Sequence, residues 1–200
     1  MIHKVFIDIG SHIGQSIDRF YQEIDDAADW DMYCFEPIQF RRLKERLDEH
    51  HNIKFIEAAV GITNGKVMIY SVPKGGQGST IMKGKSTGDV NYKDGKFVDY
   101  IDFIEWFKHN TDVEDFIIIK INIEGGEYVL MPRLFEIMSR VNGLYIKLHH
   151  HKFIENQKSK LLKIYEDFKR QIAKYKTFVF CDTSEDEYKF KWMLNKIHGG

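Results

Sequence analysis

The chain has 200 residues, 43% hydrophobic and 14% aromatic, enough to bury one core and too few for a second full domain. Its 29 basic and 30 acidic side chains leave a formal net charge of -1, so it lacks the basic excess with which proteins grip nucleic acid. There is no apolar run near the ~20 residues that span a bilayer and no signal-peptide core at the N-terminus, and Cys34 and Cys181 both lie in apolar runs; a cytoplasmic protein with reduced thiols is expected.

Short apolar runs alternate with amphipathic ones, the pattern of a mostly parallel sheet covered by helices. Val5-Phe6-Ile7-Asp8-Ile9 reads as a buried strand ended by Gly10, and Ile13, Ile17, Phe20, Tyr21 and Ile24 then recur at helical spacing. Met32 to Phe35 is a second strand running into Glu36-Pro37, and Phe40, Leu43 and Leu47 mark the next helix. Ile53 to Val60 reads as a third strand, and Val67 to Val72, after the turn Asn64-Gly65, as an added hairpin strand. Residues 73–97 are rich in Gly, Lys, Ser and Asp without apolar periodicity, and read as a flexible lid loop.

Regular structure resumes with a short helix from Tyr100 to Phe107. Phe116-Ile117-Ile118-Ile119-Lys120-Ile121 suits the middle of a parallel sheet. A helix from Tyr128 to Met138 follows, with Pro132 near its first turn, then a strand from Leu144 to Leu148. A long helix from Ile154 to Tyr175, a strand from Phe178 to Cys181 and a last strand from Tyr188 to Met193 complete one domain over residues 1–200.

Three polar clusters fall at predicted strand ends, where open α/β sheets bind ligands. The first is Asp8-Ile9-Gly10-Ser11-His12-Ile13-Gly14. Gly10 permits a tight turn, Gly14 lets the following helix pack close to the sheet, and the helix N-terminus then faces the ligand. The spacing differs from the Gly-x-Gly-x-x-Gly that seats a pyrophosphate. A carboxylate at Asp8 would repel phosphate and suit the ammonium of an amino-acid moiety. These features point to S-adenosylmethionine rather than NAD; a helix cap at Asp8 is the plainer alternative.

The second cluster is Glu36, about twenty residues further on, where an acidic side chain can accept ribose hydroxyls. Its plainer reading is a solvated Glu-Pro turn. The third is Lys120-Ile121-Asn122-Ile123-Glu124-Gly125-Gly126-Glu127. Strand alternation puts Lys120, Asn122 and Glu124 on one side, with Asn122 or Glu124 expected to face the site and a Lys120–Glu124 or Lys120–Glu127 ion pair as the alternative.

Val5 to Ser16, Phe35-Glu36-Pro37, Ala58-Ala59-Val60-Gly61 and Lys120 to Glu127, in that order, resemble the FkbM family of class I S-adenosylmethionine-dependent methyltransferases. The resemblance runs from the first strand to about His149, and the first and fourth blocks are the most specific. It implies a Rossmann-like, mostly parallel seven-stranded sheet with an antiparallel last strand and helices on both faces. It also implies methyl transfer to an oxygen, often a hydroxyl of a sugar, glycan or small metabolite. By the same resemblance Asp8, Gly10, Ser11 and Gly14 contact the methionine part, Glu36 the ribose, and Glu57 or Ala58 the adenine region. Lys120, Asn122, Glu124 and His149 become the catalytic candidates.

Two residues depart from the family's pattern. Asn122 stands where an aspartate is expected and cannot take a proton at neutral pH. Lys147 stands two residues before His149, where an acidic residue is common. These departures keep open a degenerate methyltransferase fold that binds cofactor or a partner without catalysis. His149 is open to three readings: general base, a metal ligand beside Glu124, or a polar strand end. Alternation along the strand puts His149 and His151 on one face and His150 on the other. The expected partner is a small molecule or a glycan, with no nucleic acid, since no Asn- or Asp-Pro-Pro-aromatic motif is present.

Overall fold

The computed structural model describes residues 2–70, 78–183 and 188–198. Six strands form the main sheet: β1 (Lys4–Ile9), β2 (Asp31–Phe35), β3 (Ile53–Ile56), β7 (Phe116–Ile121), β8 (Gly143–Lys147) and β9 (Phe178–Asp182). Their order is β3-β2-β1-β7-β8-β9, and every neighbouring pair is parallel. Strand alternation then assigns the faces. Val5, Ile7, Ile9, Ile117, Ile119 and Ile121 pack against α3 (Phe103–Asn110), α4 (Glu127–Leu134) and α5 (Glu155–Ile172). Phe6, Met32, Cys34, Ile118 and Tyr145 pack on the other side, against α1 (Gln15–Glu23), α2 (Phe40–Leu47) and α6 (Tyr188–His198). Each fully buried Ile or Phe contributes ~1.5–3 kcal/mol, so both faces are needed to hold the sheet.

The expectation of a mostly parallel α/β sheet with helices on both faces holds, but the seven-stranded sheet with an antiparallel last strand does not. Among the described residues the main sheet has six strands, and β9 pairs parallel with β8. The segment expected to be the last strand, Tyr188 to Met193, belongs to α6. Phe190, Met193, Leu194 and Ile197 recur at helical spacing and bury one stripe against Phe6, Ile118 and Tyr145, which outweighs the apparent alternation of Tyr188, Phe190 and Trp192.

Three other boundaries moved. The predicted strand from Ile53 to Val60 breaks at Glu57, and its second half becomes β4 (Ala59–Gly61) of a separate small sheet. That sheet has the order β4-β6-β5, with β5 (Gly65–Tyr70) antiparallel to β6 (Gly95–Asp102) and β4 parallel to it. The hairpin partner of β5 is therefore β6, not the strand preceding Asn64-Gly65. Tyr100 lies in β6, and the helix begins at Phe103 because Asp102 accepts the N–H groups of Ile104 and Glu105, at 3.1 and 3.2 Å. Such a cap is worth ~0.5–2 kcal/mol. Pro132 sits within α4 rather than in its first turn, and the helix ends at Leu134.

Within the expected loop Thr80, Lys85 and Ser86 are tied to neighbouring segments, and its last residues belong to β6; residues 73–77 lie outside the described residues. Thr80 bridges Tyr70, Lys85 bridges Phe153, and the Ser86 N–H donates to the Lys152 carbonyl at 2.7 Å. No helix among the described residues is long and apolar enough to cross a membrane.

Candidate functional site

Strand order reverses between β1 and β7, and open α/β sheets bind ligands at the carboxyl ends of the strands flanking such a reversal. A cavity of about 640 Å³ opens there, lined by the residues that follow β1, β2, β7 and β8 and by the docked segment 78–88. That volume falls within the ~300–1,000 Å³ of small-molecule sites.

The turn leaving β1 is held by both neighbouring strand ends, β2 and β7. Gly10 and Ser11 both donate their N–H groups to the Phe35 carbonyl, at 3.0 and 3.1 Å, and Asn122 donates its own to Ile9 at 2.9 Å. Gly10 has φ +81°, and a Cβ there would lie 2.1 Å from the Asn122 carbonyl oxygen, so only glycine fits. Gly14, with φ +93°, allows close packing of a different kind from that expected. A Cβ on it would strike Leu47 of α2 at 2.6 Å, so it admits α2 rather than the sheet, and it is not part of the cavity wall.

Asp8 does not reach the cavity. It is fully buried opposite Lys120 in the β1–β7 register, its carboxylate lies 2.7 Å from Lys120 Nζ, and Ser16 Oγ donates to it. Lys120 also donates to the Gly10 carbonyl at 3.0 Å and reaches the wall. The pair expected between Lys120 and Glu124 or Glu127 is thus made with Asp8. Repulsion of phosphate by Asp8 therefore loses its basis, since the charge is neutralised behind the wall.

Glu36 takes over that electrostatic role. Its Oε2 accepts the His12 N–H at 2.9 Å, and its Oε1 accepts those of Ile38 and Gln39 at 2.7 and 2.9 Å. The carboxylate thus lies at the mouth of the glycine turn, on an N–H that would otherwise face an anion, and it lines the cavity. A carboxylate has about four acceptor positions, and three are used, which leaves one for a ligand hydroxyl. Beside it Phe35, Ala58, Ala59, Val60 and Ile69 form an apolar wall, whereas Glu57 is exposed and outside it.

The end of β7 carries the second constellation. Glu124 adopts a left-handed conformation, φ +52°, which costs a non-glycine residue ~1–2 kcal/mol. That geometry delivers its carboxylate to Lys85 Nζ at 2.6 Å, Lys152 Nζ at 3.2 Å and His149 Nε2 at 3.2 Å. Burial pushes the Glu124 carboxyl up, but His149 and Lys85 outweigh it and hold the group well below the usual carboxylate range. Behind it lies Glu127, fully buried, which accepts from the His149 backbone N–H at 2.9 Å and contacts its Nδ1 at 3.0 Å. Its other oxygen accepts from Gly125 N–H at 2.9 Å.

His149 is fully buried between these carboxylates. Burial lowers its pKa, yet Glu127 and Glu124 prevail and push it up to about 9. A protonated imidazole sealed behind the wall has no lone pair for a substrate proton, so the geometry suits a clamp joining β7 to β8 and not a general base. His151 reaches the wall instead. β8 ends at Lys147 and His150–Lys152 form a 3-10 turn, yet the expected grouping of His149 with His151 holds, their rings stacking with centroids 6.4 Å apart. His150 is turned to Tyr128 Oη at 2.8 Å.

Of the residues expected at the site, Gly10, Ser11, Glu36, Ala58, Lys120, Asn122 and Glu124 line one cavity, whereas Asp8, Gly14, Glu57 and His149 do not. Lys85 and Lys152 were not anticipated. Lys85 lies in a stretch without periodicity, and nothing local marks it as a partner of a residue at the end of β7. Comparison with protein-family models, with curated proteins and with solved structures yields no match.

Proposed function

We propose that this chain is an S-adenosylmethionine-dependent O-methyltransferase of the class I type, acting on a hydroxyl of a sugar, glycan or small metabolite. The observation that carries the reading is the position of Glu36, a cavity-lining carboxylate closing the glycine turn at the point of strand reversal. It leaves an acceptor position for a ribose hydroxyl beside an apolar wall suited to an adenine, and it disfavours a pyrophosphate at the same turn. The strand order alone, 3-2-1-4-5-6 when main-sheet strands are counted, also occurs in dinucleotide-binding folds, so the preference rests on Glu36 and on the glycine spacing.

In this reading Gly10, Ser11, Gln15 and Ser16 face the methionine part, Glu36 the ribose, and Phe35, Ala58 and Val60 the adenine. The cofactor supplies an electrophilic methyl group on a sulfonium. The chain aligns the acceptor and limits water, and the docked segment 78–88 covers that side of the cavity. Glu124, held below the carboxylate range, and His149, held protonated, do not take the hydroxyl proton near neutrality. His12 and His151 are the imidazoles on the wall, and proton acceptance is assigned to one of them.

A cofactor-binding protein without catalysis is the second reading. It is favoured by Asn122, an amide on the wall where the resemblance expects a carboxylate. Calorimetric titration with S-adenosylmethionine and with NAD tests binding, and turnover against a panel of hydroxylated acceptors separates the two readings. Tight NAD binding with no S-adenosylmethionine binding would overturn both.

A further inference from the structure

The far end of the cavity from Glu36 carries an excess of positive charge. Lys85, Lys147 and Lys152 line it against the single carboxylate of Glu124 among the described residues. Lys85 and Lys152 are both engaged by Glu124, at 2.6 and 3.2 Å. Lys147, at the last position of β8, is half-buried on the wall, and no described residue offers it a hydrogen bond or an ion pair. Its Nζ is not sealed among protein atoms, so the ammonium faces the open cavity as a cationic donor that the described residues leave unmatched, free to meet an anionic group on a ligand.

We propose that Lys147 receives an anionic oxygen group, a carboxylate or a phosphate, borne by the hydroxylated acceptor. The proposal rests on the acceptor reading above but is separable from it, because it concerns only the β8 end of the cavity. It also gives Lys147 a purpose: an acidic residue there would repel such an acceptor, and a lysine selects it by charge-assisted hydrogen bonding. The already neutralised Glu124 adds little repulsion, since two lysines and a protonated histidine surround it.

The test is a calorimetric titration of the full chain, with and without S-adenosylhomocysteine, using glucuronate, glucose 6-phosphate, inorganic phosphate and glucose as probes. At least one anion should bind about tenfold tighter than glucose, and added salt should weaken that preference. Whether glucuronate or the phosphates lead tells a carboxylate from a phosphate. Lys147→Met should abolish the preference at an unchanged unfolding midpoint, and Lys147→Arg should keep it. Absence of anion binding, or a preference that survives in Lys147→Met, overturns the proposal. Anion binding that depends on Lys147 without any binding of S-adenosylhomocysteine overturns the methyltransferase reading and leaves the anion site standing.

Discussion

Glu36 Oε2 and the His12 backbone N–H meet at 2.9 Å, so the end of β2 is tied to the turn that leaves β1. One carboxylate thereby fixes the shape of the turn and gives the cavity a negative mouth. Glu36→Ala removes the acceptor of three N–H groups and should cost ~1–3 kcal/mol of stability. It should also weaken S-adenosylmethionine binding at least about tenfold. Glu36→Gln keeps an oxygen for the N–H groups of Ile38 and Gln39 but turns its amide NH2 toward the N–H of His12, so it should recover part of the stability and little of the affinity. Urea unfolding and calorimetry on the two variants check this, and unchanged affinity in both would remove Glu36 from the ligand site.

The buried triad Glu124–His149–Glu127 makes stability depend on pH in a defined direction. The folded pKa of His149 is raised from 6.5 to about 9. Its contribution is therefore complete below about pH 6.5 and is lost as pH rises through about 9. Its size is on the order of 3 kcal/mol. Glu124 acts oppositely: its depressed pKa adds stability above the ordinary carboxylate value, which is lost as pH falls. Urea unfolding between pH 6 and 10 should show the alkaline loss, and His149→Gln should start lower and flatten the curve there. An equal alkaline loss in His149→Gln would show that another group is responsible.

Much of this site could be read from residue order because its determinants are local. Gly10 follows an apolar run, Glu36 follows another, and alternation along β7 correctly separates Lys120 from its isoleucine neighbours. What escaped depends on contacts between distant segments. Whether Asp8 faces a ligand or Lys120 is decided by the pairing of β1 with β7, more than a hundred residues apart. Lys85 reaches Glu124 from a loop with no periodic signal, and His149 leaves the wall because β8 stops two residues earlier. In α6 two periods overlap in the sequence, the alternation of Tyr188, Phe190 and Trp192 and the helical spacing of Phe190, Met193, Leu194 and Ile197, and packing of the second set against the sheet decides for the helix.

Gly10 and Gly65 both have positive φ but differ in what surrounds them. At Gly10 a Cβ would meet the Asn122 carbonyl oxygen at 2.1 Å, while at Gly65 nothing lies within 4 Å. Gly65→Ala should therefore cost only backbone strain, ~1–3 kcal/mol at its φ of +147°. Gly10→Ala adds a clash with backbone that cannot yield without parting β1 from β7, and should cost clearly more or prevent folding. Denaturant midpoints of the two variants check the order. Equal losses would mean that the turn can relax away from Asn122.

Histidines 149 and 151 differ by two positions and should differ in kind. His149 is buried with both ring nitrogens turned to carboxylates, while His151 lies on the cavity wall. If methyl transfer is followed against pH, His151→Ala or His12→Ala should lower kcat by about 10²- to 10⁴-fold and remove the acidic limb of the profile. The variant at the other position should change kcat little. His149→Gln should reduce the amount of folded enzyme yet preserve that limb in what remains, because its proton is not the one exchanged with substrate. Loss of the limb in His149→Gln, with both wall histidines silent, would return the proton to the buried imidazole and require the cavity to open during turnover.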